Sequence, residues 1–225
     1  MKETAVIFDF NGTLFWDSEI NYKAWYNFIK KNLNKEYSRE EYAHLNGRTT
    51  HETLEIVYNK KLDDNLIGKL VYEKDQEYLK IMEEEKDSIS LAPGVEDLIN
   101  ELKNNNIKIA IATSAHPSLM KEYERVFTLS KFFKNEYIIA NDGSLPSKPD
   151  PAIYNKTIEI LDINPKNCIV FEDTKSGIIS AAKANVGKII AVNSIGSDIK
   201  TINNLDETTF SINTFDEIDL KKLLK

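Results

Sequence analysis

The stretch Val6-Ile7-Phe8-Asp9-Phe10-Asn11-Gly12-Thr13-Leu14-Phe15 starts as an apolar run and breaks at once into a polar turn. Residues 5–8 do not alternate with polar ones, which is how a strand covered on both faces reads. Asp9 stands at the carboxyl end of that strand, with Asn11 two residues on and Gly12-Thr13 behind it. Four more runs share this character, at 107–112, 137–140, 168–171 and 188–192. Helical patterns separate the later runs. Val95, Leu98, Ile99 and Leu102 form one apolar stripe, Asp150-Pro151 reads as an N-cap with proline at the first helical position, and 176–184 is small and apolar. Strand and helix in succession predict an α/β fold, a doubly wound parallel sheet.

One connection breaks the rhythm. More than seventy residues lie between the first strand and the helix that opens near Pro93-Gly94, and none of them forms a strand pattern. They carry helical stripes instead: Ala24, Trp25, Phe28 and Ile29; Leu54, Ile56 and Val57; Leu66, Leu70, Tyr78, Leu79 and Met82. A structureless loop of that length would be implausible in a compact domain. The reading is an inserted all-helical cap over residues 16–90, with 1–15 and 91–225 forming the core. The acidic run Glu83-Glu84-Glu85 reads as a solvated helix face, and 216–225 as a surface helix.

Bulk composition narrows the function. The 225 residues are 41% hydrophobic and 29% charged, with a net charge of −7, which disfavours nucleic acid and anionic membranes as partners. Cys168 is the only cysteine and lies in an apolar run, so it reads as an inert packed thiol in a reducing compartment. No signal-peptide pattern or membrane-length apolar run is seen, and the expectation is a cytoplasmic protein.

The polar residues fall at revealing places. The first strand ends in Asp9, the second in Thr113-Ser114 and the fourth in Glu172-Asp173, while Lys148 follows the third by a few residues. Singly, each is an ordinary cap, turn former or loop lysine. In a parallel sheet, however, all these ends lie at one edge, where ligands bind. Together they supply three carboxylates, two hydroxyls and an ammonium. Clustered carboxylates repel one another unless a cation sits between them, and a set of hard oxygens selects Mg²⁺. Lysine, hydroxyls and the amides of a post-strand turn suit a phosphoryl dianion. A carboxylate facing such a group can attack phosphorus and form an acyl phosphate.

With these segments in place the chain resembles the haloacid dehalogenase superfamily, in its branch of β-phosphoglucomutase-like phosphatases and mutases, over about residues 4–195. The motifs carrying the resemblance are Asp9-Phe10-Asn11-Gly12-Thr13, Thr113-Ser114, Lys148-Pro149 and Glu172-Asp173. The resemblance implies Asp9 as nucleophile and Mg²⁺ ligand. It implies the Asn11 carbonyl and Asp173 as further metal ligands, with Glu172 in or near the shell. Asn11, Gly12, Thr113, Ser114 and Lys148 would hold phosphoryl oxygens. The cap segment 45–54, "LNGRTTHETL", resembles the family's substrate-reading loop, which makes Arg48 a candidate substrate contact; His116, just past Thr113-Ser114, is another. The implied activity is Mg²⁺-dependent hydrolysis of a small phosphorylated metabolite by a cytoplasmic monomer.

Asn11 departs from the family pattern, which has a second aspartate there to exchange protons with the leaving oxygen and the attacking water. General acid–base catalysis is worth about 10²–10⁴-fold, or about 3–5 kcal/mol of barrier. Four readings stay open: a phosphatase limited to good leaving groups or using another proton carrier, a β-phosphoglucomutase-like phosphotransferase, a sugar-phosphate-binding protein with vestigial turnover, and an asparagine introduced at position 11 to trap a complex.

Overall fold

The computed structural model describes residues 3–45 and 48–225. The chain divides into two units, one of residues 1–16 and 90–225 and the other of residues 17–89.

The first unit is built on six parallel strands: β1 (Ala5–Phe8), β2 (Lys108–Thr113), β3 (Ile138–Ala140), β4 (Cys168–Glu172), β5 (Lys188–Val192) and β6 (Phe210–Ile212), in the order β3-β2-β1-β4-β5-β6. The order runs outward in both directions from β1, so β1 lies between β2 and β4. Ala5 pairs with Lys108 on one side and Cys168 on the other. All four residues of β1 are fully buried, which explains why its sequence does not alternate. One face of the sheet, with Ile7, Ala110 and Val170, packs on α7 (Ala152–Leu161) and α8 (Lys175–Lys183). The other face is aromatic: Phe8 stacks on Phe171 at 5.2 Å between ring centroids, and Phe215 packs on Phe171 at 5.2 Å. Burying one such ring contributes about 1.5–3 kcal/mol. The stripe Val95, Leu98, Ile99 and Leu102 is the buried face of α5 (Val95–Asn104). The remaining helices are α6 (Pro117–Phe127), α9 (Ile199–Ile202) and α10 (Leu220–Leu223).

The second unit contains α1 (Ser18–Leu33), α2 (Arg39–Leu45), α3 (Thr50–Tyr58) and α4 (Asp64–Glu84), around a core of Trp25, Phe28, Ile29, Tyr37, Leu54 and Leu70. A capping box opens α3: the Thr49 hydroxyl accepts from the Glu52 amide, and the Glu52 carboxylate accepts from the Thr49 amide.

Four local expectations change. The helix expected to start at Pro151 begins at Ala152, and Asp150 Oδ1 takes the Ala152 amide at 2.9 Å. The tail is not a surface helix: a short turn at Phe215–Glu217 and the single turn of α10 bury Phe215, Leu220 and Leu223. Strand β6 was absent from the sequence reading because it has three residues and Phe210 is exposed. Ile56, placed on an apolar stripe, is exposed on α3 while Leu54 is buried.

Candidate active site

The carboxyl ends of β1, β2 and β4 lie on one edge of the sheet, and the loop after β3 brings Lys148 to it. Asp9 follows β1 directly, and its amide donates to Phe171 O at 3.0 Å, so β4 holds the backbone of Asp9. The turn behind it is tight. Gly12 N donates to Phe15 O (2.7 Å), and Phe15 N and Thr13 N both donate to Phe10 O. Gly12 has φ of +82°, and a Cβ there would lie 2.1 Å from Asp173 Oδ2. Only glycine meets both demands. The turn also aims Thr13 Oγ1 at Asp173 Oδ1, 3.1 Å away.

Lys148 is the hub. Its buried ammonium donates to Asp9 Oδ1 at 2.6 Å and to Glu172 Oε1 at 2.7 Å, with Ala112 O and Tyr154 OH each at 3.3 Å. Burial works against the Lys148 charge, but Asp9 and Glu172 outweigh it and hold the pKa well above ordinary lysine. Glu172 accepts on both oxygens: Tyr154 OH donates to Oε1 (3.0 Å), while Asp173 N, Thr174 N and Thr174 Oγ1 donate to Oε2. Gly177 makes room for it, since a Cβ there would lie 1.7 Å from Glu172 Oε1.

Asp9, Glu172 and Asp173 each offer an oxygen, all within 4.8 Å of one another, and all three residues are buried. Lys148 supplies one positive charge against their three. Asp173 carries the imbalance: burial, then the charges of Glu172 and Asp9, push its carboxyl well above the usual range. A hard divalent cation fits this donor set, because it would neutralise the excess charge through oxygen ligands.

The sequence-predicted residues therefore sort as follows. Asp9, Lys148, Glu172 and Asp173 are brought together. Thr113 is buried at the end of β2, its hydroxyl accepting from Ala115 N at 3.1 Å; Ser114 follows it and is half-buried. Asn11 is half-buried and donates through Nδ2 to Tyr123 OH at 2.9 Å. His116 is exposed and caps α6, its Nδ1 accepting from Ser118 N and lying 2.8 Å from Ser118 Oγ. Arg48 is exposed in the helical unit, and of its predicted reading segment, Asn46 and Gly47 lie outside the described residues.

Three tyrosines and a lysine escaped the sequence reading. Tyr154, fully buried, joins Lys148 to Glu172, and burial pushes its phenol well above the ordinary value. Tyr123 meets Asn11. In the helical unit a pocket of about 50 Å³ is lined by Asn21, Trp25, Tyr37, Arg48 and Lys74 among others. Asn21 Oδ1 and the Tyr37 hydroxyl are buried and have no hydrogen-bond partner among the described residues. Lys74 is buried over the faces of Trp25 (5.5 Å) and Tyr78 (5.0 Å), and burial lowers its pKa against the opposing charges of Asp75 and Asp17. The signal for Tyr154 was its place just after Lys148, in the first turn of α7; the others read as core or solvent-facing helix positions.

Comparison with known proteins gives the family of the chain. The family model for haloacid dehalogenase-like hydrolases matches residues 6–192. A phosphorylated carbohydrates phosphatase of Thermotoga maritima is 30% identical, covering 84% of each chain. The β-phosphoglucomutase of Bacillus subtilis is 28% identical over 81% of this chain and 80% of its own. The crystal structure of a family IA, variant 3 hydrolase from Entamoeba histolytica superposes with a TM-score of 0.90 at 33% identity, covering 100% of this chain and 98% of that one. The chain belongs to the haloacid dehalogenase-like hydrolases, in their β-phosphoglucomutase-like, phosphatase-type branch.

Proposed function

We propose that the protein is a Mg²⁺-dependent phosphomonoester hydrolase that works through a phosphoenzyme on Asp9 and acts on a small phosphorylated sugar. The observation that carries the reading is the convergence of Asp9, Glu172 and Asp173 within 4.8 Å, with Lys148 bonded to two of them. Asp9, the Asn11 carbonyl and Asp173 would hold the metal, with Glu172 beside it. When bound, Mg²⁺ supplies charge that offsets repulsion between an anionic nucleophile and an anionic phosphoryl group. Lys148, Thr113 and Ser114, with the amides of the Asn11-Gly12 turn, hold the phosphoryl oxygens. Asp9 attacks phosphorus, the ester bond to the leaving oxygen breaks, and that oxygen takes its proton from solvent water. Water then attacks the aspartyl phosphate, its proton ends on the released phosphate, and the Asp9 carboxylate returns.

The sugar-phosphate assignment rests on the names of relatives. The Thermotoga maritima relative is named for phosphorylated carbohydrates. Asn11 supports a second reading, a sugar-phosphate-binding protein with residual turnover, because an amide cannot shuttle protons.

A panel of sugar phosphates and p-nitrophenyl phosphate, assayed with and without Mg²⁺, tests the proposal. Wild type should turn over and Asp9→Ala should not. Equal inactivity of the two on every substrate would favour the binding reading. Asn11→Asp should raise turnover of poor leaving groups by about 10²-fold or more; an unchanged rate would mean another group already carries the proton.

A further inference from the structure

Asn11 is held by a device that the motif does not contain. Tyr123, on α6, has its phenol 2.9 Å from Asn11 Nδ2, and the residue is 1% exposed. Its ring is caged by aromatics from the turn that carries Asn11. Phe10 stacks on it at 4.6 Å and 30°, Phe15 meets it edge-on at 6.1 Å, and Phe127 packs on Phe10 and Phe15 at 6.1 and 4.9 Å. Phe10 lies between Asp9 and Asn11 in sequence, so one side chain both fixes the Tyr123 ring and sits between the two site residues.

The hydrogen bond has a direction. The amide nitrogen donates and the phenol oxygen accepts. With Nδ2 turned to Tyr123, Oδ1 diverges from it by about 120° on the same planar carbon and so points away from the phenol. A carboxylate at position 11 could not donate to the phenol and would instead have to receive its proton. The phenol can serve either residue, accepting from the asparagine amide or donating to a carboxylate.

We infer that Tyr123 is a positioning residue for the reaction. It orients the Asn11 amide so that Oδ1 aligns the water that attacks the Asp9 phosphoenzyme. The inference rests on the phosphatase reading. In this step a water oxygen bonds to phosphorus, the bond from phosphorus to Asp9 breaks, and the water's proton ends on the departing phosphate. Asn11 Oδ1 accepts a hydrogen bond throughout and never takes the proton. Formation of the phosphoenzyme from p-nitrophenyl phosphate needs no such alignment, because the phenolate leaves without a proton.

The test compares wild type, Tyr123→Phe, Asn11→Ala and the double variant, with p-nitrophenyl phosphate and Mg²⁺. Phenylalanine keeps the ring and its stacking and removes only the hydroxyl. Tyr123→Phe should lower kcat by a factor of about 3–10, the value of one hydrogen bond. It should lower KM in step, leaving kcat/KM and the burst of p-nitrophenolate unchanged, a pattern that general loosening of the fold would not produce. In the Asn11→Ala background Tyr123→Phe should do nothing more. Wild-type kinetics in Tyr123→Phe, or a full additional loss in the double variant, would overturn the inference. A lack of Asp9-dependent turnover in wild type would defeat the phosphatase reading instead. The contact itself is then read by the ¹⁵N side-chain amide signal of Asn11, assigned by its loss in Asn11→Ala. That signal should move and exchange faster in Tyr123→Phe, and an unmoved signal would overturn the inference.

Discussion

Replacing Lys148 by methionine keeps most of the stem and deletes the charge that binds two buried carboxylates. Asp9 Oδ1 lies 2.6 Å and Glu172 Oε1 2.7 Å from the ammonium, and its side chain is 4% exposed. Removing one partner of a buried, hydrogen-bonded ion pair costs about 3–5 kcal/mol, because the other partner stays buried without its charge match. For a chain of this size each kcal/mol shifts Tm by about 2–4 °C, so the transition of the sheet unit should fall by about 10 °C or somewhat more. Calorimetry in EDTA reads this directly. Adding Glu172→Gln removes one of the stranded charges and should restore part of the loss. Mg²⁺ should raise Tm more in Lys148→Met than in wild type, since the variant's acids lack a competing cation. A Tm within about 2 °C of wild type in EDTA, well short of that shift, would show that Lys148 does not hold the cluster together and would refute the charge accounting given for the site.

Other outcomes follow from the same geometry. In EDTA, stability should decline as pH rises from the ordinary carboxylate range through the raised pKa of Asp173, because in that window the folded state binds a proton that the unfolded chain has released; melting curves across pH should show this slope, and Mg²⁺ should flatten it. Gly12→Ala should lower Tm and abolish turnover, since a left-handed alanine alone costs about 1–2 kcal/mol and its Cβ would strike Asp173; near-normal melting and activity would mean that the turn is not so constrained. Cys168 is buried and burial raises its thiol to about 11, so Ellman's reagent at neutral pH should find no thiol in the folded protein and one per chain in guanidinium.

The sheet was legible because strands buried on both faces leave uninterrupted runs of Ile, Val and Phe. The site acids were legible because the runs ended in them. What the sequence concealed had physical reasons. Phe210-Ser211-Ile212 is too short to show a period, and its first residue faces solvent. Leu220 and Leu223, three apart, are spaced like a helix stripe, but a bent tail buries them along with Phe215. Lys74 sits in a charged helix where a lysine reads as solvated, yet it is buried over two aromatic rings. Tyr123 and Tyr154 look like core aromatics, and they are; only the fold brings the hydroxyl of each to a polar residue of the site.

The central place of β1 has a consequence for synthesis. Ala5 waits for Lys108, 103 residues later, and for Cys168, 163 residues later. At about 5–20 residues per second, a ribosome leaves this wholly apolar strand without either neighbour for some 5–20 s, while residues 17–89 emerge complete. The nascent chain thus carries an unpaired apolar strand while residues 9–107 are made, and shielding of that strand by a chaperone should raise the yield of folded product.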